Sequence, residues 1–288
     1  MTSKIEWCEE TYNPIIGCSK ISLGCRNCYA ERMANRMRNN PKTEHIYGPV
    51  TNIEGKWNGV THLVESALDK PLKRKKPTTY FVSSMGDLFH HDVKLHMLHE
   101  VFTRMVKCPQ HIFQILTKRP ERMREFINGY FKSTYGDLPS NIWLGVSAEN
   151  QKMAEERIPI LLETGTGKII RYVSVEPMLG PVDISEYLHE STCTIRVRVI
   201  QGCICGRNLP GDIPQEDCID WVICGAESGP GRRECNDDWV KSLINQCKKA
   251  VTPFFLKQMY GDGDLEAKSV KVKMPFFSGR VWDQMPQR

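Results

Sequence analysis

Thr78-Thr79-Tyr80-Phe81-Val82-Ser83 is the stretch on which the fold turns. It is an unbroken apolar run that ends in small polar residues, with no alternation between faces. Such a run suits a strand buried on both sides, as in parallel sheets. Similar runs occupy 111–117, 141–147, 168–174 and 218–224, with a shorter candidate at 253–257. Helical stretches separate them at 95–107, 119–131, 151–163 and 237–250. In the first of these, Leu95, Leu98, Phe102 and Met105 follow the i, i+3, i+7, i+10 spacing of one helix face. Strand–helix alternation of this kind predicts βαβ units and a parallel sheet. With a first strand near the cysteine-rich N-terminal segment, it predicts an α/β fold built as an open or closed barrel rather than a sandwich.

The bulk properties agree with one large domain. A chain of 288 residues with 40% hydrophobic and 25% charged residues has the composition of a water-soluble globular protein. No apolar stretch approaches the roughly 20 residues needed to span a bilayer. Met1-Thr2-Ser3-Lys4-Ile5-Glu6-Trp7 has no apolar signal core, so a cytoplasmic location is expected (the host cytoplasm if phage-encoded). Without an export signal, twelve cysteines read as reduced thiols and metal ligands rather than a disulfide framework. The net charge of +5 permits a polyanionic partner without requiring one. Part of the excess lies in Lys70-Pro71-Leu72-Lys73-Arg74-Lys75-Lys76-Pro77, read either as a solvated loop entering a strand or as a phosphate contact. The most atypical region is 191–220, expected to be an insertion, and 262–288 reads as a C-terminal extension.

In β/α barrels the functional site lies at the C-terminal ends of the strands. Polar residues cluster at six such ends: Ser83-Ser84, Thr117-Lys118, Ser147 to Asn150, Ser174 to Glu176, Gly225 to Ser228, and Lys257. Each taken singly could be a helix cap, but six together are not a packing pattern. Gly225-Ala226-Glu227-Ser228-Gly229-Pro230-Gly231 is a glycine-rich turn whose N–H groups could cradle an anion, aided by Arg232 and Arg233. Lys118, Arg119 and Lys257 are candidates for binding a carboxylate or phosphate. Glu149 and Asn150 have the chemistry to grip two ribose hydroxyls.

Cys18, Cys25 and Cys28 lie in Gly17-Cys18-Ser19-Lys20-Ile21-Ser22-Leu23-Gly24-Cys25-Arg26-Asn27-Cys28-Tyr29-Ala30-Glu31. Three thiolates fall one short of a filled tetrahedral site and suit a four-iron cluster with one open iron. Cys-x2-Cys is also half of a common zinc site, though no second close pair follows and the next cysteine is Cys108. Spacing alone leaves cluster, zinc staple and free thiols open. Cys203, Cys205 and Cys218 form a second group in the atypical region, readable as ordinary thiols, zinc ligands or an auxiliary cluster.

The cysteine segment, preceded by Trp7 and Tyr12-Asn13-Pro14, resembles the cluster loop of radical S-adenosylmethionine (SAM) enzymes, and more narrowly a phage-associated branch of them. The resemblance continues through Ser84-Met85-Gly86-Asp87-Leu88-Phe89-His90, Leu116-Thr117-Lys118-Arg119-Pro120-Glu121-Arg122-Met123 and Trp143-Leu144-Gly145-Val146-Ser147-Ala148-Glu149-Asn150. It resumes in Ser174-Val175-Glu176-Pro177-Met178-Leu179-Gly180, Trp221 to Pro230 and Phe254-Phe255-Leu256-Lys257-Gln258, so it covers most of the chain in order. The spacing here is Cys-x6-Cys-x2-Cys, whereas the superfamily usually has Cys-x3-Cys-x2-Cys.

The resemblance implies a single domain over 1–288, a partial (β/α)6-type parallel barrel with the iron–sulfur site at the C-terminal strand ends. It implies a 4Fe–4S cluster on Cys18, Cys25 and Cys28 with SAM on the open iron. SAM would be cleaved reductively to a 5′-deoxyadenosyl radical that takes hydrogen from the substrate. A flavodoxin- or ferredoxin-type electron donor is then expected as a partner. Cofactor contacts are expected from Ser84, Asp87, Ser147, Glu149, Asn150 and Lys257. Glu176, Lys118 and Glu227 are the expected catalytic residues, with Arg119 and Arg232 on the substrate. The phage-associated resemblance points to rearrangement of an amino-acid-substituted thymine in DNA. RNA, a nucleotide or a peptide is the alternative substrate, and a zinc-stapled nucleic-acid-binding module the alternative class.

Overall fold

The computed structural model describes residues 5–166, 169–188, 218–260 and 271–286. Its centre is a curled, eight-stranded, mostly parallel sheet in the shape of a half-barrel. In chain order and in space the strands are β1 (Glu10–Tyr12), β2 (Thr79–Val82), β3 (Ile112–Thr117), β4 (Ile142–Ser147), β5 (Arg171–Val175), β6 (Trp221–Gly225), β7 (Phe254–Tyr260) and β8 (Lys271–Lys273). β1 to β7 run parallel, each paired with its sequence neighbour, and β8 returns antiparallel along β7. The sheet thus carries seven parallel strands where the barrel expectation names six units. The strand expected to be the shortest, at 253–257, is the longest at seven residues, because Gln258, Met259 and Tyr260 continue it to pair with β8. The C-terminal segment therefore completes the sheet edge, and its Trp282 is buried against Phe254.

Five principal helices follow the strands: α1 (Tyr29–Arg38), α2 (Leu95–Val106), α3 (Pro120–Glu125), α4 (Gln151–Leu162) and α5 (Asp237–Ala250). The continuous helix expected over 119–131 is instead α3 followed by a π-helical turn at Phe126–Phe131. That wider turn seats Phe126 and Phe131 beside Phe102, with ring centroids 4.8 and 5.5 Å away. Leu95, expected on the buried face of α2, is half exposed at the helix start, and the buried stripe is Leu98, Val101, Phe102 and Met105.

Period-two alternation along each strand divides the core in two. On the outer face Val82, Ile115, Leu144, Val146, Val173, Val222 and Leu256 pack with α2, α4 and α5 in one continuous cluster. On the inner face Phe81, Ile112, Trp143, Tyr172, Trp221, Ile223 and Phe255 form a second, aromatic cluster closed by Trp7. Trp7 stacks edge-on against Phe81 at 4.5 Å. Gly145 is needed here, since a Cβ at this position would stand 2.4 Å from the Tyr172 ring. These aromatics fill the lumen toward the N-terminal strand ends and leave the C-terminal ends to polar residues. The basic run at 70–77 braces the first strand: Lys70 and Arg74 both pair with Glu10 at 2.8 Å, which favours a structural role for these two residues. No helix among the described residues is long and apolar enough to cross a membrane. Most of the expected insertion at 191–220, with Cys203 and Cys205, lies outside the described residues.

Candidate functional site at the C-terminal strand ends

A pocket of about 150 Å³ opens above the aromatic floor. Trp7, Phe81 and Leu116 form its base, and its polar lining comes from Lys118, Ser147, Ser174, Glu176, Glu227, Ser228 and Lys257. Gly24, Asn27, Cys28 and Tyr29 of the cysteine segment complete the wall. Ser147 and Ser174 are cross-strand partners at the tips of β4 and β5. Lys257 is the extra residue of a register shift, because Cys224 pairs with Leu256 but Gly225 pairs with Gln258. Bulges of this kind re-aim one side chain next to functional sites. Lys257 Nζ donates to Glu176 Oε1 at 2.6 Å in a mostly buried ion pair. Lys118 also lines the pocket, and its Nζ has no hydrogen-bond or ion-pair partner among the described residues. A half-buried ammonium that no described group hydrogen-bonds, and that only feels Glu149 electrostatically, is a natural place for an anionic ligand group.

The cysteine segment leaves the C-terminal end of β1. Gly17 starts it at φ 91°, and a Cβ there would meet the Val60 carbonyl at 2.3 Å. A single 3-10 turn at Leu23–Cys25 follows, and Cys28 stands at the N-cap of α1. Cys18, Cys25 and Cys28 are half-buried and in no disulfide. Burial and the nearby Asp87 push the Cys18 thiol up to about 12, an effect partly offset by Arg119. No group of three or more His, Cys, Asp or Glu side chains among the described residues is gathered as a ready metal cage. What the segment offers a metal is donor chemistry: three thiols within eleven residues, with a guanidinium beside one of them. Soft thiolates of this kind suit iron–sulfur clusters and zinc.

Two buried carboxylates hold this segment in place. Asp87 accepts from Arg119 Nη1 (2.7 Å), Thr117 Oγ1 (2.7 Å), Phe89 N (3.0 Å) and Lys118 N (3.3 Å). Arg119 in turn donates to Ser19 O (3.0 Å) and Ser19 Oγ (3.1 Å), and approaches Cys18 Sγ at 3.7 Å. His90 Nδ1 accepts from Asp92 N, so Nε2 carries the proton and donates to Ser19 Oγ at 2.7 Å. Glu149, fully buried, pairs with Arg157 at 2.9 Å and accepts from Gly24 N at 3.2 Å. Burial alone would raise the Glu149 carboxyl, but Lys118, Arg157 and hydrogen bonding hold it below the usual carboxylate range.

The remaining expected residues separate into pocket and frame. Cys28, Lys118, Ser147, Glu176, Glu227 and Lys257 meet in the pocket; Cys18, Cys25, Ser84, Asp87, Glu149, Asn150, Arg119 and Arg232 are not part of its lining. Asn150 caps α4 by accepting from Met153 N at 3.0 Å. Ser84 Oγ donates to Asn13, and its carbonyl accepts from Tyr29 OH at 2.8 Å. Glu227 is clamped by Arg233 and by Asn27 Nδ2 at 2.9 Å. Burial would raise its carboxyl, but these donors bring it below the ordinary value. Arg232 stacks over Tyr260 at 4.0 Å.

Sequence reasoning did not single out Arg157, His90, Asn27 or Tyr29 for roles. Arg157 left a signal: it stands in the apolar stripe Ala154, Ile158, Leu161 of α4, where a charge requires a buried partner. The model of a family described as "Protein of unknown function (DUF5131)" matches residues 2–286. This chain belongs to the DUF5131 family. No curated protein and no solved structure matches it. The matched span of this DUF5131 protein includes the cysteine segment and every strand that supplies the pocket.

Proposed function

We propose that this DUF5131 protein is a radical SAM enzyme. The observation that carries the reading is the pocket itself, where Cys28 of the three-cysteine segment meets polar residues from β3 to β7 at the C-terminal strand ends. In this reading Cys18, Cys25 and Cys28 hold a 4Fe–4S cluster and the pocket holds SAM beside the substrate. When bound, these groups supply one-electron cleavage of a carbon–sulfur bond and a carbon radical that can take hydrogen from an unactivated carbon.

The protein's residues bind, orient and exclude water. Lys118 takes a carboxylate or phosphate. Glu176 accepts from an ammonium group, with Lys257 setting the orientation of its carboxylate. Ser147 and Ser174 supply hydroxyls at adjacent strand tips. Glu227 holds Asn27, and so the wall of the pocket, in place. Asp87 and Glu149 act in the frame rather than on the ligand, each fully engaged with the cysteine segment or its supports. The aromatic floor closes the lumen to water from below.

Lys118 and Glu176 in one pocket suit a zwitterion, and the substrate proposed is an amino-acid-substituted thymine in DNA, rearranged after hydrogen abstraction. The segment 18–38 has five basic residues against one acidic, a charge that favours a polyanion near the pocket. A duplex base has to leave the stack to enter, at about a few kcal/mol. A flavodoxin- or ferredoxin-type protein is the proposed reductant.

Anaerobic reconstitution and low-temperature EPR test the proposal. The expected result is a reduced 4Fe–4S signal that changes on adding SAM and is lost in Cys25→Ala. A colourless protein holding only zinc would overturn the enzyme in favour of a binding module. Absence of DNA binding at low salt, in a protein with the EPR signature, would remove DNA as substrate and leave RNA, nucleotide or peptide.

A further inference from the structure

Arg119 was expected on the substrate; in the structure its guanidinium lies outside the pocket lining and reaches the cysteine segment. Its side chain is only 12% exposed, it is absent from the pocket lining, and among the described residues every hydrogen bond of its guanidinium goes to the start of the cysteine segment or to the Asp87 that anchors it. Nη1 lies 2.7 Å from Asp87 Oδ2 and 3.7 Å from Cys18 Sγ, while Nη2 donates to both oxygens of Ser19. Cys25 and Cys28 differ from Cys18. Cys25 Sγ has the Ser22 hydroxyl at 3.8 Å, and among the described residues neither has a side-chain cation within hydrogen-bond reach.

We propose that Arg119, oriented by Asp87, is a positioning residue that donates an N–H···S hydrogen bond to Cys18 and sets the iron retention and reduction potential of the bound cluster. The inference rests on the cluster reading given above. A cation donating to a ligating sulfur withdraws electron density from it. The reduced, more negative form of the cluster gains most, so the potential rises. The same bonds fix Cys18 relative to the tips of β2 and β3, since Asp87 follows one and Thr117 ends the other. Cys18 thus becomes electronically distinct from its two companions, as the one ligand with a charge-assisted hydrogen bond.

The test compares wild type with Arg119→Gln and Arg119→Lys after anaerobic reconstitution. Iron and sulfide per chain, iron loss to a chelator and an EPR-monitored redox titration are the readouts. Arg119→Gln is expected to lose iron about 10-fold faster, in line with other supporting residues of metal ligands. Its remaining cluster is expected to titrate at a more negative potential. Arg119→Lys keeps a cation for Asp87 and is expected to fold like wild type with an intermediate potential. A wild-type potential in the clusters of both variants overturns the proposal, even if less iron is bound, because a merely structural residue would produce that result. A wild-type protein that takes up no iron or sulfide instead overturns the cluster reading, and this inference with it.

Discussion

On the outer face of the sheet, Val82, Ile115, Val146, Val173 and Leu256 meet helices whose facing residues are equally apolar, and Phe102 sits among Phe89, Phe126 and Phe131. On the inner face the same strands expose aromatics at one end and Lys118, Ser147, Ser174, Glu176 and Lys257 at the other. Within the aromatic zone, in register with Phe81 and Trp143, Gln114 is fully buried, and among the described residues neither its amide atoms nor the Tyr172 hydroxyl and Trp7 indole N–H have hydrogen-bond partners. Alternate residues of one strand therefore serve opposite ends. Those facing the helices stabilise the fold, while those facing the lumen include polar groups that cost stability.

The comparison makes its largest prediction at its two extremes. Phe102→Ala should lower unfolding free energy by about 3–5 kcal/mol, as for other buried aromatics, without altering ligand contacts in the pocket. Lys118→Met should lower stability by no more than about 1 kcal/mol, through its lost attraction for Glu149, yet abolish binding of the ligand proposed for the pocket. Denaturant unfolding beside equilibrium binding reads both. Equal loss of stability in the two variants would break the division between faces.

A second prediction concerns pH, to which the apolar face is indifferent. His90 is buried and its imidazole is brought down to about 4, first by burial and then by Arg119 and His91, against the opposing pull of Asp87 and Asp92. The neutral ring is the folded form, while the unfolded ring takes up a proton near pH 6.5. The stabilisation is therefore complete above about pH 6.5 and is lost as pH falls toward 4, by about 3 kcal/mol in all. Glu149 and Glu227, with carboxyls held low, add a further loss only below about pH 4. Unfolding free energies at pH 7 and pH 4.5 should differ less in His90→Leu than in wild type. An equal difference would assign the pH dependence elsewhere.

The smallest effect sharpens the comparison by its sign. Gln114→Leu removes two unpartnered polar atoms and should be neutral or stabilising by about 1 kcal/mol. A clear loss of stability would mean that Gln114 has partners in solution and belongs to the polar zone.

Much of this was legible in the chain. The apolar runs gave six of the seven parallel strands, the helical stretches gave three helices and the first part of a fourth, and the polar strand ends held eight residues of the pocket lining. These features are local: a strand buried on both faces, or a helix with one apolar stripe, shows in the spacing of a dozen residues. The pairings were not legible. Glu149 had the chemistry to bind a ribose, Arg119 a carboxylate and Asn150 a hydroxyl, and nothing within a few residues contradicted this. Only the folded chain brings Glu149 to Gly24, 125 residues away, and Arg119 to Cys18, 101 residues away. It also sets Lys257 in a register shift beside Glu176. Side-chain chemistry states what a residue can bind, and periodicity states which face it occupies. Which of several possible partners it meets depends on strand order, curl and register, which arise from long-range packing.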